Sequence, residues 1–151
     1  LNPGPKFHCT NDNLVPFVCQ VATGKLAKLR VFGTDYPTQD GTAIRDYLHV
    51  SDLADAHLKA LEALLNHKGI LTCNLGTGTG SSVLDVIRAF EKISGITIPH
   101  EFNARRTGDV TEAWADPSMA EKVLGWKAKY SLEEMLADAW NWQQKNPNGY
   151  E

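Results

Sequence analysis

Apolar positions along the chain switch repeatedly between helical spacing and short extended runs. Asp12 or Asn13 is placed to cap a helix through Gln20, with Gly24 as its stop; Pro16 falls in or just past the first turn, where a missing N–H costs little. Leu29–Phe32 reads as a short strand ending at Gly33, and the polar, turn-rich Asp35–Ala43 as an ordered loop. Ile44–Val50 is strand-like. Ser51 then caps the most regular helix, in which Leu53, Ala56, Ala60, Leu61, Leu64 and Leu65 recur at helical spacing before Gly69. Ile70–Leu75 is an apolar strand candidate running into Gly76-Thr77-Gly78-Thr79-Gly80. Ser82, with Asp85 as its reciprocal partner, caps Val83–Ser94, and Gly95 follows the end. Thr97–Phe102 reads as extended. Asp116 as cap with Pro117 at the first helical position opens a short helix closed by Gly125, and Ser131-Leu132-Glu133-Glu134 is a capping box for a last helix that Pro147 stops.

This order is α/β, with helices and strands alternating but without the regular βαβαβ series of a complete doubly wound domain. No repeat or linker interrupts it, so one compact unit is expected. The 151 residues, 42% hydrophobic and 22% charged, suit a single soluble core. A net charge of -3 gives no support for a nucleic-acid surface, and the short basic cluster Lys25, Lys28, Arg30 reads as a solvated face. Cys9, Cys19 and Cys73 have no metal spacing and cannot all pair, which fits a reducing cytoplasm. No apolar run approaches the roughly 18 residues of a membrane span, and no charged-then-apolar leader pattern opens the chain.

Candidate chemistry is sparse. The glycines at 76, 78 and 80 lie where phosphates are often cradled, but Ser81 and Val83 break the dinucleotide fingerprint and no P-loop lysine follows. A structural tight turn is the better reading, and no cofactor is assigned to it. The chain has neither G-x-S-x-G nor H-E-x-x-H, and its histidines show no metal-ligand pattern; His49 and His57 suit structural roles. Four residues beyond Tyr36, Tyr47 and Tyr130 stand Asp40, Ser51 and Glu134, so no Tyr-x-x-x-Lys base is present. Two positions suit an anion. Arg105-Arg106-Thr107-Gly108-Asp109 sets two guanidinium groups beside a carboxylate in a loop, and Arg45 stands in an otherwise apolar run. The plain alternative is an internal ion pair of Arg45 with Asp46 or Asp52.

The run from Val31 to His57 (VFGTDYPTQDGTAIRDYLHVSDLADAH) closely resembles the UDP-galactose 4-epimerases. Its R-D-Y-x-H-V-x-D core is shared more loosely by extended short-chain dehydrogenase/reductases acting on nucleotide sugars, whereas the F-G-x-D-Y-P-T-x-D-G-T stretch is far more specific to the epimerases. Asn13-Leu14-Val15-Pro16, Asn74-Leu75-Gly76-Thr77-Gly78, Arg105-Arg106-x-Gly108-Asp109, Trp114-Ala115-Asp116 and Gly125-Trp126 extend the likeness over residues 11–150. Residues 1–10 match poorly.

The resemblance implies a mixed α+β substrate-binding half that lacks most of the Rossmann domain. In that family a hydride passes from C4 of the hexose to NAD, a tyrosine of Tyr-x-x-x-Lys acts as base, and both glycine fingerprint and tyrosine belong to an N-terminal half. No catalytic residue or NAD contact is therefore expected in this chain, which alone should not turn over. Implied partners are a UDP-hexose, that N-terminal half and a second copy in a homodimer. Motif by motif, Arg45 and Arg106 would neutralise the diphosphate and Asp109 would accept from the ribose hydroxyls. Asn13 would bond near the diphosphate, and Val31 with Phe32 would meet the uracil. Asn2 resembles the family's substrate-contacting Asn of Asn-Pro, although the stretch to Asn13 is shorter than the family's loop. Ala113 stands where a bulky tyrosine is common in the family, which implies room for N-acetylated sugars. The resemblance also packs the Ser51 helix and Ile70–Leu75 against the nucleotide-binding half. The alternatives are a related dehydratase or decarboxylase, which usually lacks the D-Y-P-T-x-D-G-T loop, and a non-catalytic UDP-binding module.

Overall fold

The computed structural model describes residues 13–66 and 68–149. Asn2, Cys9 and Asp12 lie outside them. Helix α1 (Leu14–Ala22) follows extended Asn13, whose side chain makes no cap bond, and runs two residues past Gln20 before Gly24 turns the chain at φ 74°. Strand β1 (Leu29–Phe32) pairs in parallel with β4 (His100–Asn103), Val31 opposite Phe102. A second small sheet has β2 (Ile44–Arg45) at its centre, antiparallel to β3 (Ser81–Ser82) and parallel to β5 (Glu112–Ala113).

Helix α2 spans Val50–Leu64, α3 Val83–Ser94, α4 Ser118–Leu124 and α5 Leu132–Lys145. Both expected capping boxes, Ser82 with Asp85 and Ser131 with Glu134, are formed. The main core joins α1, β1, α3 and α5 through Val18, Val31, Val86, Phe90, Ile98 and Leu136. A smaller core sets Ala56 of α2 and Ala120 of α4 around Trp126, whose indole N–H donates to the Asp52 carbonyl at 3.1 Å. The Asp52 carboxylate, 1% exposed, accepts from the Lys129 and Tyr130 amides and ties α2 to the segment entering α5.

Four expectations need correction. The strand expected over Ile44–Val50 is two residues long, because Asp46 turns its carboxylate to the glycine turn and the chain leaves the ladder there. His49 caps α2 in place of Ser51: its Nδ1 accepts from the Ser51 amide, so Val50 is the first helical residue. Pro117, not Asp116, is the cap of α4, although Asp116 Oδ1 accepts from the Ser118 amide. Ile70–Leu75 forms no strand, since a strand needs a ladder and the segment has no partner among the described residues. Along the stripe read from α2 only Ala56 is buried, while Leu61, Leu64 and Leu65 are 61%, 50% and 85% exposed. The face of α2 that packs is the Asp52/Ala56 face; its leucines stay largely exposed.

Candidate functional site

One open cleft of about 1650 Å³ collects Asn13, Val31, Phe32, Arg45, Arg106 and Asp109 along its walls. They arrive from four segments of the chain. Asn13 precedes α1, Val31 and Phe32 end β1, Arg45 ends β2, and Arg106 and Asp109 lie on the excursion between β4 and β5. Val31 is 1% exposed and belongs to the main core, so it presents almost no surface to the cleft, whereas Phe32 is half-buried. Lys28 and Arg30 also line the cleft, paired with Glu101 at 3.4 and 4.0 Å. Ala113 stands outside the cleft wall, exposed on β5 as the register partner of Arg45.

The charged centre is closely made. Arg45 Nη2 donates to Asp109 Oδ1 at 2.6 Å, and its Nη1 donates to the Ile44 carbonyl at 2.7 Å. Arg45 therefore does form an internal ion pair, but with Asp109 rather than Asp46 or Asp52. At 28% and 29% side-chain exposure the pair is wet enough to contribute only about 0–1 kcal/mol, so an entering phosphate can exchange partners cheaply. Arg106 sits over the Phe32 ring, its Cζ 4.0 Å from the centroid, which parks a guanidinium on the apolar wall beside that pair. The two consecutive arginines divide their work. Arg105 Nε donates to Asp35 Oδ1 at 2.7 Å, its Nη2 donates to the Asp35 carbonyl, and its guanidinium covers the Tyr36 ring at 4.0 Å. That bond from Arg105 holds the Asp35 carboxyl below its ordinary range. Arg105 is absent from the cleft wall.

Asp46, next to Arg45, explains the glycine cluster. Both its carboxylate oxygens accept from the Thr77 amide at 3.0 Å, Oδ1 accepts from the Thr77 hydroxyl at 2.7 Å, and Oδ2 from the Ala115 amide at 3.2 Å. A Cβ at residue 76 would overlap Asp46 Oδ2 and the Ala115 methyl, and one at residue 80 would overlap Ile44. The turn thus cradles an anion, but the anion is the protein's own carboxylate. These residues do not fit the diphosphate of a dinucleotide, which would meet Asp46 in the same place.

Sequence reasoning missed the far wall of the cleft. His49 is 5% exposed; because Nδ1 accepts from Ser51, Nε2 carries the proton and donates to Asp138 Oδ2 at 3.2 Å, while the ring stacks on Tyr130 at 4.3 Å. Burial pushes the neighbouring Tyr47 hydroxyl up to about 12. The only signal for this wall was the unexplained histidine at the end of an apolar run. Among the described residues no group of His, Cys, Asp and Glu could hold a metal ion, and no helix is long and apolar enough to cross a membrane.

The family model described as GDP-mannose 4,6 dehydratase matches residues 2–139. The chain belongs to this family, within the extended short-chain dehydrogenase/reductases. More particularly, it is 58% identical over 139 residues to the UDP-glucose 4-epimerase of Bacillus subtilis (strain 168), covering 92% of this chain and 41% of that relative. A solved UDP-glucose-4-epimerase from Stenotrophomonas maltophila, with bound NAD and formylated UDP-arabinopyranose, superposes with a TM-score of 0.89 at 48% identity, over 93% of this chain and 42% of that one. The Bifidobacterium longum UDP-glucose 4-epimerase, solved with NAD+ and UDP, gives 0.83 at 50% identity, over 91% of this chain and 41% of that one. The mixed α/β architecture is that of the C-terminal part of such epimerases. The chain spans about 41% of the length of the curated relatives it matches.

Proposed function

We propose that this chain is the UDP-hexose-binding portion of a UDP-glucose 4-epimerase that interconverts UDP-galactose and UDP-glucose. The observation that carries the reading is the convergence of Arg45, Arg106 and Asp109 on one cleft whose wall includes Phe32. Two guanidinium groups suit a pyrophosphate, each able to donate two parallel N–H bonds, and a carboxylate suits a ribose diol. Asn13 adds a neutral amide near the diphosphate, and half-buried Phe32, at the end of a strand with one partner among the described residues, is left for the uracil; Val31 backs it from the core. The work of such a site is positioning: it fixes the nucleotide while the hexose moves. NAD supplies the hydride acceptor of this chemistry, and we place it on the part of the parent protein that relatives have and this chain does not span. A homodimer and a cytoplasmic location belong to the same reading. The likeness to epimerases, at 58% identity, favours this activity over the dehydratase after which the family model is described.

Two experiments test it. Calorimetric titration should show UDP binding to the chain, weakened about tenfold or more by Arg106→Ala, the loss of one charge-assisted contact; equal affinity in both proteins refutes the assignment. Ala113 replaces a ring with a methyl, and the parent enzyme should accept UDP-GlcNAc and UDP-GalNAc as well. Ala113→Tyr in that enzyme should depress turnover of the acetylated pair selectively, and an unchanged ratio sinks the idea.

A further inference from the structure

We propose that Arg105 is a positioning residue that holds residues 106–109 in binding geometry, and not a second ligand for the nucleotide. The proposal rests on the reading that Arg106 and Asp109 engage a uridine nucleotide. Residues 104–110 are all exposed, and Gly108 sits at φ 83°, so the excursion has little packing of its own. It is anchored at one end where the Gly33 amide donates to the Asn103 carbonyl at 2.8 Å, and at the other where the Ile44 amide donates to the Thr111 carbonyl at 2.9 Å. Between those points three side chains tie it down among the described residues: Arg105 to Asp35 and Tyr36, Arg106 to the Phe32 ring, and Asp109 to Arg45.

Two of those ties are given up when a ligand arrives, because Arg106 must turn to a phosphate and Asp109 to a sugar hydroxyl. Arg105 is the tie that no ligand competes for. Its setting is built for the purpose. Tyr36 is 3% exposed, its ring fills the space above Gly33 where a Cβ would collide with it, and the Arg105 stem packs against the same glycine. Gly33 at φ 84°, the Tyr36 ring and the guanidinium thus lie in layers, and the fork closes on both the side chain and the carbonyl of Asp35. Without that latch the excursion must be ordered at the moment of binding, and affinity falls although no ligand contact is lost.

The test is UDP titration of the 151-residue chain at several salt concentrations, with amide hydrogen exchange on the ligand-free protein. Arg105→Ala should weaken UDP about tenfold with the salt dependence of log Kd nearly unchanged, whereas Arg106→Ala should flatten that dependence, because a guanidinium in direct contact with phosphate is screened by salt while one already paired with Asp35 adds little to it. Arg105→Lys keeps the charge but not the fork and should recover less than half of the loss on a logarithmic scale. Asp35→Asn, at a side chain 74% exposed and harmless to folding, should reproduce the effect in smaller measure. Exchange at the Asp109 amide, which donates to the Arg106 carbonyl at 3.2 Å, should quicken about threefold or more in Arg105→Ala. An unchanged Kd, a slope that falls as for Arg106→Ala, or full rescue by lysine overturns the proposal. If the chain binds no UDP at all, the reading of the site fails, and exchange alone decides the latch: unchanged protection in Arg105→Ala overturns it.

Discussion

Replacing Asp46 by alanine is the sharpest probe of how the cleft is held. The carboxylate accepts from the Thr77 amide, the Thr77 hydroxyl and the Ala115 amide, at 2.7 to 3.2 Å. It joins three segments: β2 with Arg45, the glycine turn, and the chain leaving β5. Alanine leaves two backbone N–H groups without an acceptor, each costing about 1–3 kcal/mol when desolvated. Because Asp46 is half-buried, the low part of that range applies, and we expect a loss of about 2–4 kcal/mol. For a chain of this length the melting temperature should drop by about 4–16 °C, at 2–4 °C per kcal/mol. Asp46→Asn keeps one acceptor but turns an amide donor toward an N–H, so its loss should be about half as large. The assay is equilibrium urea unfolding followed by tryptophan fluorescence at fixed protein concentration. Gly76→Ala supplies a second arm, since its methyl would overlap the same carboxylate. The two losses should fall well short of additive in the double variant, because removing Asp46 also removes much of the clash. A loss below about 0.5 kcal/mol in Asp46→Ala, or strict additivity, refutes the clamp.

Acid stability should depend on Asp40. Burial alone would raise this carboxyl, but bonds from Ser82 and Thr42, with Arg88 beside it, hold it below its ordinary 3.8. A carboxyl lowered by folding contributes stability that is complete above 3.8 and is lost as pH falls through its lower folded value. Urea midpoints measured from pH 6 down to about 2.5 should therefore fall less steeply below about 4 in Asp40→Asn than in the parent, and parallel curves would contradict this. The uncovered leucines of α2, with Ile70 at 94% exposure, should make the isolated chain self-associate. Sedimentation should show species above 16.6 kDa that shift toward monomer in Leu61→Glu/Leu65→Glu; a monomeric parent chain defeats the expectation.

What could be read from the chain was whatever local chemistry decides. Ser82 and Ser131 each sit three residues before an acidic partner, so both helix starts were visible as capping boxes and both are formed. Leu29–Phe32, bounded by Gly33, was equally local, and its limits are those of β1. The two strand failures turn on distant groups, present in one case and missing in the other. Ile44–Val50 has strand composition, yet Asp46 is claimed by Thr77 and Ala115, and His49 is claimed by Ser51 and Asp138. Ile70–Leu75 has it too, but β structure needs a second strand and none lies alongside among the described residues.

The site divides along the same line. Adjacent arginines at 105 and 106 have the same chemistry, and beyond the family likeness only their neighbours separate them. Tyr36 and Asp35, brought up by the turn after Gly33, take the first, while the face of the Phe32 ring is left for the second. Arg45 is the converse case. Its need for a partner followed from an apolar run, but the partner, Asp109, is 64 residues away and reaches it only because β5 lies parallel to β2. A guanidinium so placed can be satisfied by its own protein or by a ligand, and the modest worth of a half-wet pair is what allows the exchange. A deeply buried pair in the same position would have held Arg45 too firmly to serve a phosphate.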